Sequence, residues 1–105
     1  MKDDLGYYKD RKYLIYVDAD DWNDPENTKF VVTAYYRKID MRTGEEQKIE
    51  ICRIDNKSHG FTHMDQLFKT GEPKKKMDVG FYEAWQIIKD NWKKYARRHD
   101  KNHTT

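Results

Sequence analysis

The chain has 105 residues and a single cysteine, so it fits one domain without an internal disulfide. Charged residues make up 38% of the chain and aromatic residues 14%, and that aromatic share excludes a chain too poor in apolar groups to form a core. No apolar run is long enough to span a bilayer, and the first ten residues do not resemble a signal peptide. We therefore expect a soluble, cytoplasmic protein that does not use a membrane.

The net charge of +2 conceals an uneven distribution of charge along the chain. Residues 1–28 carry four basic and eight acidic side chains, which leaves 17 basic and 11 acidic side chains for residues 29–105. The basic region that follows the acidic amino-terminal segment is suited to binding a polyanion or an acidic protein partner. The alternative is an ordinary solvated surface.

The first predicted strand is the β-rich stretch "RKYLIYVDA", residues 11–19, which ends in the turn-forming run "DADDWNDPEN". The aspartates of that run are not a calcium loop, because the EF-hand pattern would require a ligand at Trp22 and a glycine at Asn23. Residues 1–10 and 99–105 contain no apolar stripe, and we expect both segments to be frayed tails.

The middle of the chain predicts an antiparallel hairpin. The segment "KFVVTAYYRKI", residues 29–39, is dense in β-branched and aromatic residues, and "KIEICRID", residues 48–55, alternates apolar with polar side chains. Gly44 in the intervening "DMRTGEEQ" supplies the turn. Cys52 lies inside the second strand, which indicates a small, half-buried packing residue more than a nucleophile.

The last quarter of the chain predicts a helix. Pro73 excludes a helix before it, and Met77 and Val79 suit a short edge strand. From residue 81 to about residue 98 the apolar positions follow the spacing of one helical face: 81, 84, 85, 88, 92 and 95. The sequence therefore predicts a single α+β domain over residues 1–105, with an antiparallel sheet of about three to four strands covered on one face by an amphipathic helix at the carboxyl end.

The stretch "RIDNKSHGFTHMD", residues 53–65, is the strongest candidate for chemistry. Strand alternation places Arg53 and Asp55 on the same side, and His59 and His63 follow in a polar loop. Two histidines can divide the acid and base steps of RNA cleavage through the ribose 2′-hydroxyl, while a cation such as Arg53 or Lys57 stabilises the phosphate charge. This pattern predicts a metal-independent ribonuclease site in which Asp55 orients a histidine.

Two other interpretations of the same stretch stay open. The histidines can simply hydrogen-bond a polar loop together, or they can bind a metal ion with Asp55 or Asp65. The metal interpretation is the weaker one, because "HGFTH" lacks the helical setting and the glutamate of the H-E-x-x-H motif. Glycine-rich nucleotide-binding motifs and Ser-centred nucleophile motifs are absent from the sequence, so we expect neither a nucleotide cofactor nor acyl-transfer chemistry. The leading interpretation uses no metal and no organic cofactor.

The end of the predicted helix is strongly basic. Between residues 86 and 105 there are six basic residues and two acidic ones. Cations near a helix carboxyl end are expected from the helix dipole alone, but they also suit a patch that follows a phosphate backbone. The predicted substrate-binding residues are Asn56, Lys57, Lys93, Lys94, Arg97 and Arg98. Tyrosines such as Tyr7, Tyr8, Tyr35 and Tyr36 can stack on bases, although most of them suit the core or its rim.

The strand end, the histidine loop and the closing helix "FYEAWQIIKDNWKKY" together resemble small prokaryotic toxins of the TumE-like kind. The matching residues are Asp55, Asn56, His59, Gly60 and His63, and the resemblance covers roughly residues 29–97. The chain departs from the pattern by its acidic residues 1–28 and by Met64 and Asp65, where a more basic run is typical.

The resemblance implies the toxin of a two-protein toxin–antitoxin module, paired with an antitoxin that is often a helix-turn-helix protein. Ribonuclease activity on RNA is an expectation from the two-histidine chemistry more than from the resemblance. The alternative from a different class is a non-catalytic adaptor or inhibitor that uses the basic helix end to bind nucleic acid or an acidic protein.

Overall fold

The computed structural model of the protein describes residues 1–56, 63–65, 75–76 and 79–103. Across these residues the chain forms six strands and one helix: β1 (Lys2–Tyr8), β2 (Arg11–Ala19), β3 (Phe30–Ile39), β4 (Glu46–Asp55), β5 (His63–Asp65), β6 (Lys75–Lys76) and α1 (Phe81–His103). The strands form one antiparallel sheet in the order in which they occur along the chain. The predicted α+β architecture is confirmed, with four long strands, two short ones and a helix packed on the sheet.

The helix covers one face of the sheet, which we call the covered face. The covered face carries alternate residues of β2, β3 and β4. These residues are apolar and buried: Tyr13, Ile15, Val17, Phe30, Val32, Ala34, Tyr36, Cys52 and Ile54. The opposite face, which we call the second face, carries the intervening residues, among them Leu14, Tyr16, Thr33, Tyr35, Arg53 and Asp55. The period of two in the strands thus separates an apolar core from a face of mixed polarity, on which Thr33, Tyr35 and Asp55 are also buried.

Helix α1 presents the predicted apolar stripe to the sheet. Phe81, Ala84, Ile88, Trp92 and Tyr95 are buried on it, and the helix continues to residue 103 instead of ending near residue 98. Among the described residues no helix has the length and apolar character needed to cross a membrane.

Two aromatic residues of the helix reach the strands on either side of the sheet centre. Trp92 lies 5.2 Å from Tyr13 between ring centroids, and it packs so closely on β1 that a Cβ at Gly6 would come within 3.3 Å of its ring. Burial raises the pKa of Tyr95 to about 12, and its hydroxyl donates to the Met64 sulfur at 3.8 Å. The helix is therefore held at both sides of its contact face.

The prediction that residues 1–10 form a frayed tail is wrong. Residues 2–8 are strand β1, which pairs with β2 and places the Met1 ammonium 2.7 Å from the Val17 carbonyl oxygen. Charged side chains can occupy an edge strand because its backbone hydrogen bonds and a few contacts, here Leu5 and Tyr8 against the core, are enough to order it.

The prediction of a frayed carboxyl tail from residue 99 is also wrong for the part that the structure describes. His99 is buried in the last turns of α1 and lies 3.0 Å from the Tyr36 hydroxyl, and Asp100 accepts a hydrogen bond from Arg11 at 3.2 Å. These polar contacts extend the helix beyond its apolar stripe, which is why the hydrophobic pattern predicted too early an end.

The β3–β4 hairpin is confirmed, with a bulge between Ala34 and Tyr35 and a turn closed by Gly44 at φ +73°. The edge strand predicted at Met77 and Val79 is shifted in the structure. Strand β6 occupies Lys75–Lys76, Val79 lies outside any strand, and Met77 lies outside the described residues.

Candidate functional site

The end of β4 holds two of the predicted catalytic residues on the second face. Arg53 and Asp55 alternate with the buried residues Cys52 and Ile54, as the strand period requires. The Arg53 Nε lies 3.2 Å from Asp55 Oδ2, and its Nη1 lies 3.7 Å from Glu50 Oε2. The predicted placement of Arg53 and Asp55 on one side is therefore confirmed, but the guanidinium already faces two carboxylates of its own strand.

Strand β5 brings the second predicted histidine back to this strand end. The backbone of His63 pairs with Asp55, and the backbone of Asp65 pairs with Arg53. Residues directly opposite each other in antiparallel strands are the closest cross-strand neighbours in a sheet. The backbone register thus pairs an aspartate at the end of β4 with a histidine of β5.

Two predicted residues of this site cannot be placed. His59 and Lys57 lie outside the described residues, as does Gly60. For the histidine pair, the structure gives the backbone position of His63 and nothing about its separation from His59.

Asn56 has a structural role that the sequence did not predict. Its Oδ1 accepts a hydrogen bond from the Phe30 amide at 2.7 Å, and its Nδ2 donates to the Thr28 carbonyl at 3.1 Å. The side chain therefore continues the β3–β4 pairing beyond Asp55. The predicted role of Asn56 in substrate binding stays a prediction, and both ends of its amide are engaged with the backbone.

The structure does not bring the basic helix end to Arg53 and Asp55. Helix α1 lies on the covered face, and those two side chains belong to the second face. The helix also starts near their end of the sheet, where Phe81 stacks on Phe30 at 5.6 Å, and Arg97 lies about 24 Å farther along the helix axis. A single site that combines Arg53 and Asp55 with Lys93, Lys94, Arg97 and Arg98 is therefore excluded.

The basic helix end instead forms a groove with the β1–β2 turn. This groove, which we call the basic groove, has a volume of about 660 Å³ and is lined by Tyr8, Lys9, Arg97, Arg98 and Lys101. None of the five lining residues is acidic. Lys93 and Lys94 are exposed on the same helix but do not line the groove.

One carboxylate of the helix end beside the basic groove is paired with a cation outside the groove. Asp100, a carboxylate of the last helical turns, is paired with Arg11 at 3.2 Å. Arg11 in turn stacks its guanidinium 3.9 Å from the centre of the Tyr36 ring. The nearest acid of the helix end is thus matched by a cation that does not line the groove.

The turn that supplies Lys9 has an unusual backbone. Lys9 and Asp10 have φ values of +50° and +63°, the left-handed region used by a two-residue hairpin turn between the paired residues Tyr8 and Arg11. Asparagine and glycine are the usual residues there, and a lysine at such a position costs about 1–2 kcal/mol. A cation is therefore held beside the helix end at an energetic cost to the fold.

Sequence reasoning found Arg97 and Arg98 but missed Tyr8, Lys9 and Lys101 as members of one surface. Lys101 lies on the same helix face as Lys94, Arg97 and Arg98, so the helical spacing could have predicted it. Lys9 and Tyr8 were missed because the first ten residues were predicted to be a tail.

Comparison with known proteins gives one match. Residues 9–105 match one family model, which is described as a domain of unknown function. No curated protein and no solved structure matches the chain.

Proposed function

This chain belongs to the DUF7718 family, whose description assigns no activity, and from the geometry of the chain itself we propose that it binds nucleic acid through the basic groove. The observation that carries the proposal is the convergence of four cations and a tyrosine from two distant segments of the chain. The helix dipole accounts for cations at the end of α1, but it does not account for Lys9, which comes from the β1–β2 turn.

The composition of the groove suits a phosphate backbone with an unpaired base beside it. Lys9, Arg97 and Lys101 can each replace a counterion on a phosphate, which makes affinity depend on salt. The ring of Tyr8 packs edge-to-face with that of Tyr13 at 6.4 Å between centroids, and aromatic rings can stack on the bases of single strands.

Removing two groove cations is expected to weaken binding and flatten its salt dependence. Arg97→Gln combined with Lys101→Gln removes two exposed charges, and each phosphate contact on a single strand contributes about 0.7 to the slope of log K against log salt. The slope should fall by about 1.4 if both contacts are made. Fluorescence anisotropy of a labelled single-stranded RNA measures it over a series of salt concentrations.

The matched control is Lys29→Gln combined with Lys89→Gln, which removes the same charge from exposed positions that do not line the groove. The control variant should keep the slope of the native protein to within the contribution of one contact. Equal losses in the two double variants would mean that the overall charge, and not the groove, attracts RNA.

Replacing Lys9 by glycine should change stability and RNA binding in opposite directions. Lys9→Gly relieves a left-handed lysine and is expected to raise the free energy of unfolding by about 1 kcal/mol, because glycine adopts that conformation without a steric cost. The same change removes a groove cation and should weaken RNA binding several-fold. Asp10→Gly relieves the neighbouring residue in the same way but removes an acid, so it should not weaken binding. Urea denaturation and anisotropy on the same preparations test both effects, and unchanged affinity in Lys9→Gly would contradict the assigned role of Lys9.

A second candidate function is a metal-independent ribonuclease at the end of β4, acting as the toxin of a toxin–antitoxin module. The observation that favours it is the pairing of His63 with Asp55 beside Arg53. The resemblance to TumE-like toxins points to the same residues and to an antitoxin partner, for example a helix-turn-helix protein. In this case the basic groove lies away from the reacting phosphate and would contact a different part of the RNA. Cleavage of RNA by the purified protein is the test.

A further inference from the structure

A second cationic pocket lies on the face of the sheet opposite the helix. It has a volume of about 240 Å³ and is lined by Lys2, Tyr35, Arg37, Glu46 and Lys48. These residues come from β1, β3 and β4, and the pocket shares no lining residue with the basic groove. Ligand binding in this pocket can therefore be tested independently of nucleic-acid binding in the basic groove.

The pocket contains two cations at directly opposed positions of the sheet. Arg37 and Lys48 are cross-strand partners in the β3–β4 ladder, an arrangement that like charges ordinarily destabilise. Glu46 lies 3.5 Å from Arg37 and compensates that one cation. Among the described residues no carboxylate lies within ion-pair distance of Lys2 or Lys48. The pocket thus holds more positive charge than the described chain neutralises.

The ammonium of Lys48 is held in place by aromatic rings. It lies 4.4 Å from the centre of the Tyr35 ring and 4.8 Å from that of Tyr16. Cation–π contacts of this kind orient an ammonium without cancelling its charge. Lys48 is therefore a fixed charge at the pocket wall, although it extends from a surface strand.

Tyr35 also lines the pocket, and its hydroxyl is buried. Tyr35 is 1% exposed, and its buried hydroxyl has no hydrogen-bond partner among the described residues. Buried hydroxyls are nearly always paired with protein, water or a bound group. A hydroxyl donor and several cations at one pocket are the combination that recognises an oxygen-bearing anion.

We propose that this pocket binds a small oxyanion, a phosphate or a carboxylate, between Lys2, Arg37 and Lys48. The anion relieves the repulsion between the opposed cations Arg37 and Lys48 and accepts a hydrogen bond from the Tyr35 hydroxyl. The site is built on three strands, so its geometry does not depend on loop closure.

The experiment is a titration of the purified protein with sodium phosphate and, separately, with sodium acetate at constant ionic strength, followed by backbone amide NMR. Saturable shifts confined to the amides around Lys2, Arg37 and Lys48 are expected with one or both anions, and the anion that binds more tightly identifies the ligand as phosphate or carboxylate. Lys48→Met should weaken that binding at least about tenfold, because it removes a charge-assisted contact.

Two further variants keep the test decisive if Lys48→Met perturbs the sheet. Tyr35→Phe removes a hydroxyl that has no partner in the described chain, so it should fold normally and bind the anion more weakly. Lys38→Met removes an exposed cation next to Arg37 in β3 but on the covered face, and it should bind like the native protein. Shifts spread evenly over the chain, absence of saturation with both anions, or equal affinity in Lys38→Met, Lys48→Met and Tyr35→Phe would overturn the proposal.

Discussion

RNA cleavage by the purified protein is expected to fall by about 10²–10⁴-fold when His63 is replaced by alanine, the range that loss of a general acid or base produces. The expectation rests on the ribonuclease proposal and on the pairing of His63 with Asp55 at the end of β4. Asp55→Asn should lower the rate by up to about 10⁴-fold, because an amide can hold the imidazole in the wrong tautomer and cannot stabilise its charged form. The product is expected to be a cyclic phosphate, and a chelator should leave the rate unchanged.

The controls for this prediction come from the chain itself. His59→Ala should reduce cleavage as His63→Ala does, whereas His103→Ala alters a histidine at the far end of α1 and should have no effect. Circular dichroism of each variant shows whether the sheet is intact. Cleavage and growth inhibition that persist in the double variant His59→Ala, His63→Ala would rule out the histidine mechanism and leave nucleic-acid binding as the function to test.

Trp92→Ala is expected to lower the free energy of unfolding by about 3–5 kcal/mol, the cost of removing a large aromatic side chain from a packed core. Trp92 is 5% exposed and joins α1 to two strands, through its contact with the Tyr13 ring and its close approach to Gly6. A domain of this size is stable by about 5–15 kcal/mol, so the variant should be close to unfolding at 37 °C. Urea denaturation followed by circular dichroism measures the change.

Trp22→Ala provides the matched control for that prediction, because Trp22 is 42% exposed and contacts the start of α1 instead of the centre. Its loss should cost much less than the loss of Trp92. In Trp92→Ala the amides of β1 should lose protection from hydrogen exchange before those of β3, since Gly6 then has no ring to pack on. Equal denaturation midpoints for the two tryptophan variants would contradict the central role of Trp92.

Much of the fold was predictable from local pattern. Apolar residues alternate in β2, β3 and β4 and follow a helical spacing in residues 81–95. In each element this spacing puts the apolar residues on one buried face, so the pattern alone predicts the element. Strand β1 was not predictable in this way, because "KDDLGYY" has no apolar alternation and contains Gly6. It is ordered by pairing with β2 and by Trp92, and both contacts lie outside its own sequence.

The candidate sites were predictable residue by residue but not as surfaces. Alternation placed Arg53 beside Asp55 correctly, because that relation is local to one strand. A local pattern does not predict which face of the sheet the helix covers. Because α1 lies on the face opposite to Arg53, Arg97 of the helix is far from Arg53. The role of Asn56 and the position of Lys9 likewise depend on partners from distant parts of the chain.

The agreement between the order of strands in the sheet and their order along the chain has a consequence for synthesis. Each long strand pairs with its immediate predecessor, so the sheet from β1 to β4 can assemble as soon as these strands leave the ribosome. Its apolar face is covered by α1, which follows all six described strands in the chain. A nascent chain therefore exposes the apolar face of the sheet until α1 has also emerged from the ribosome, and in this interval a chaperone would have the most apolar surface to protect.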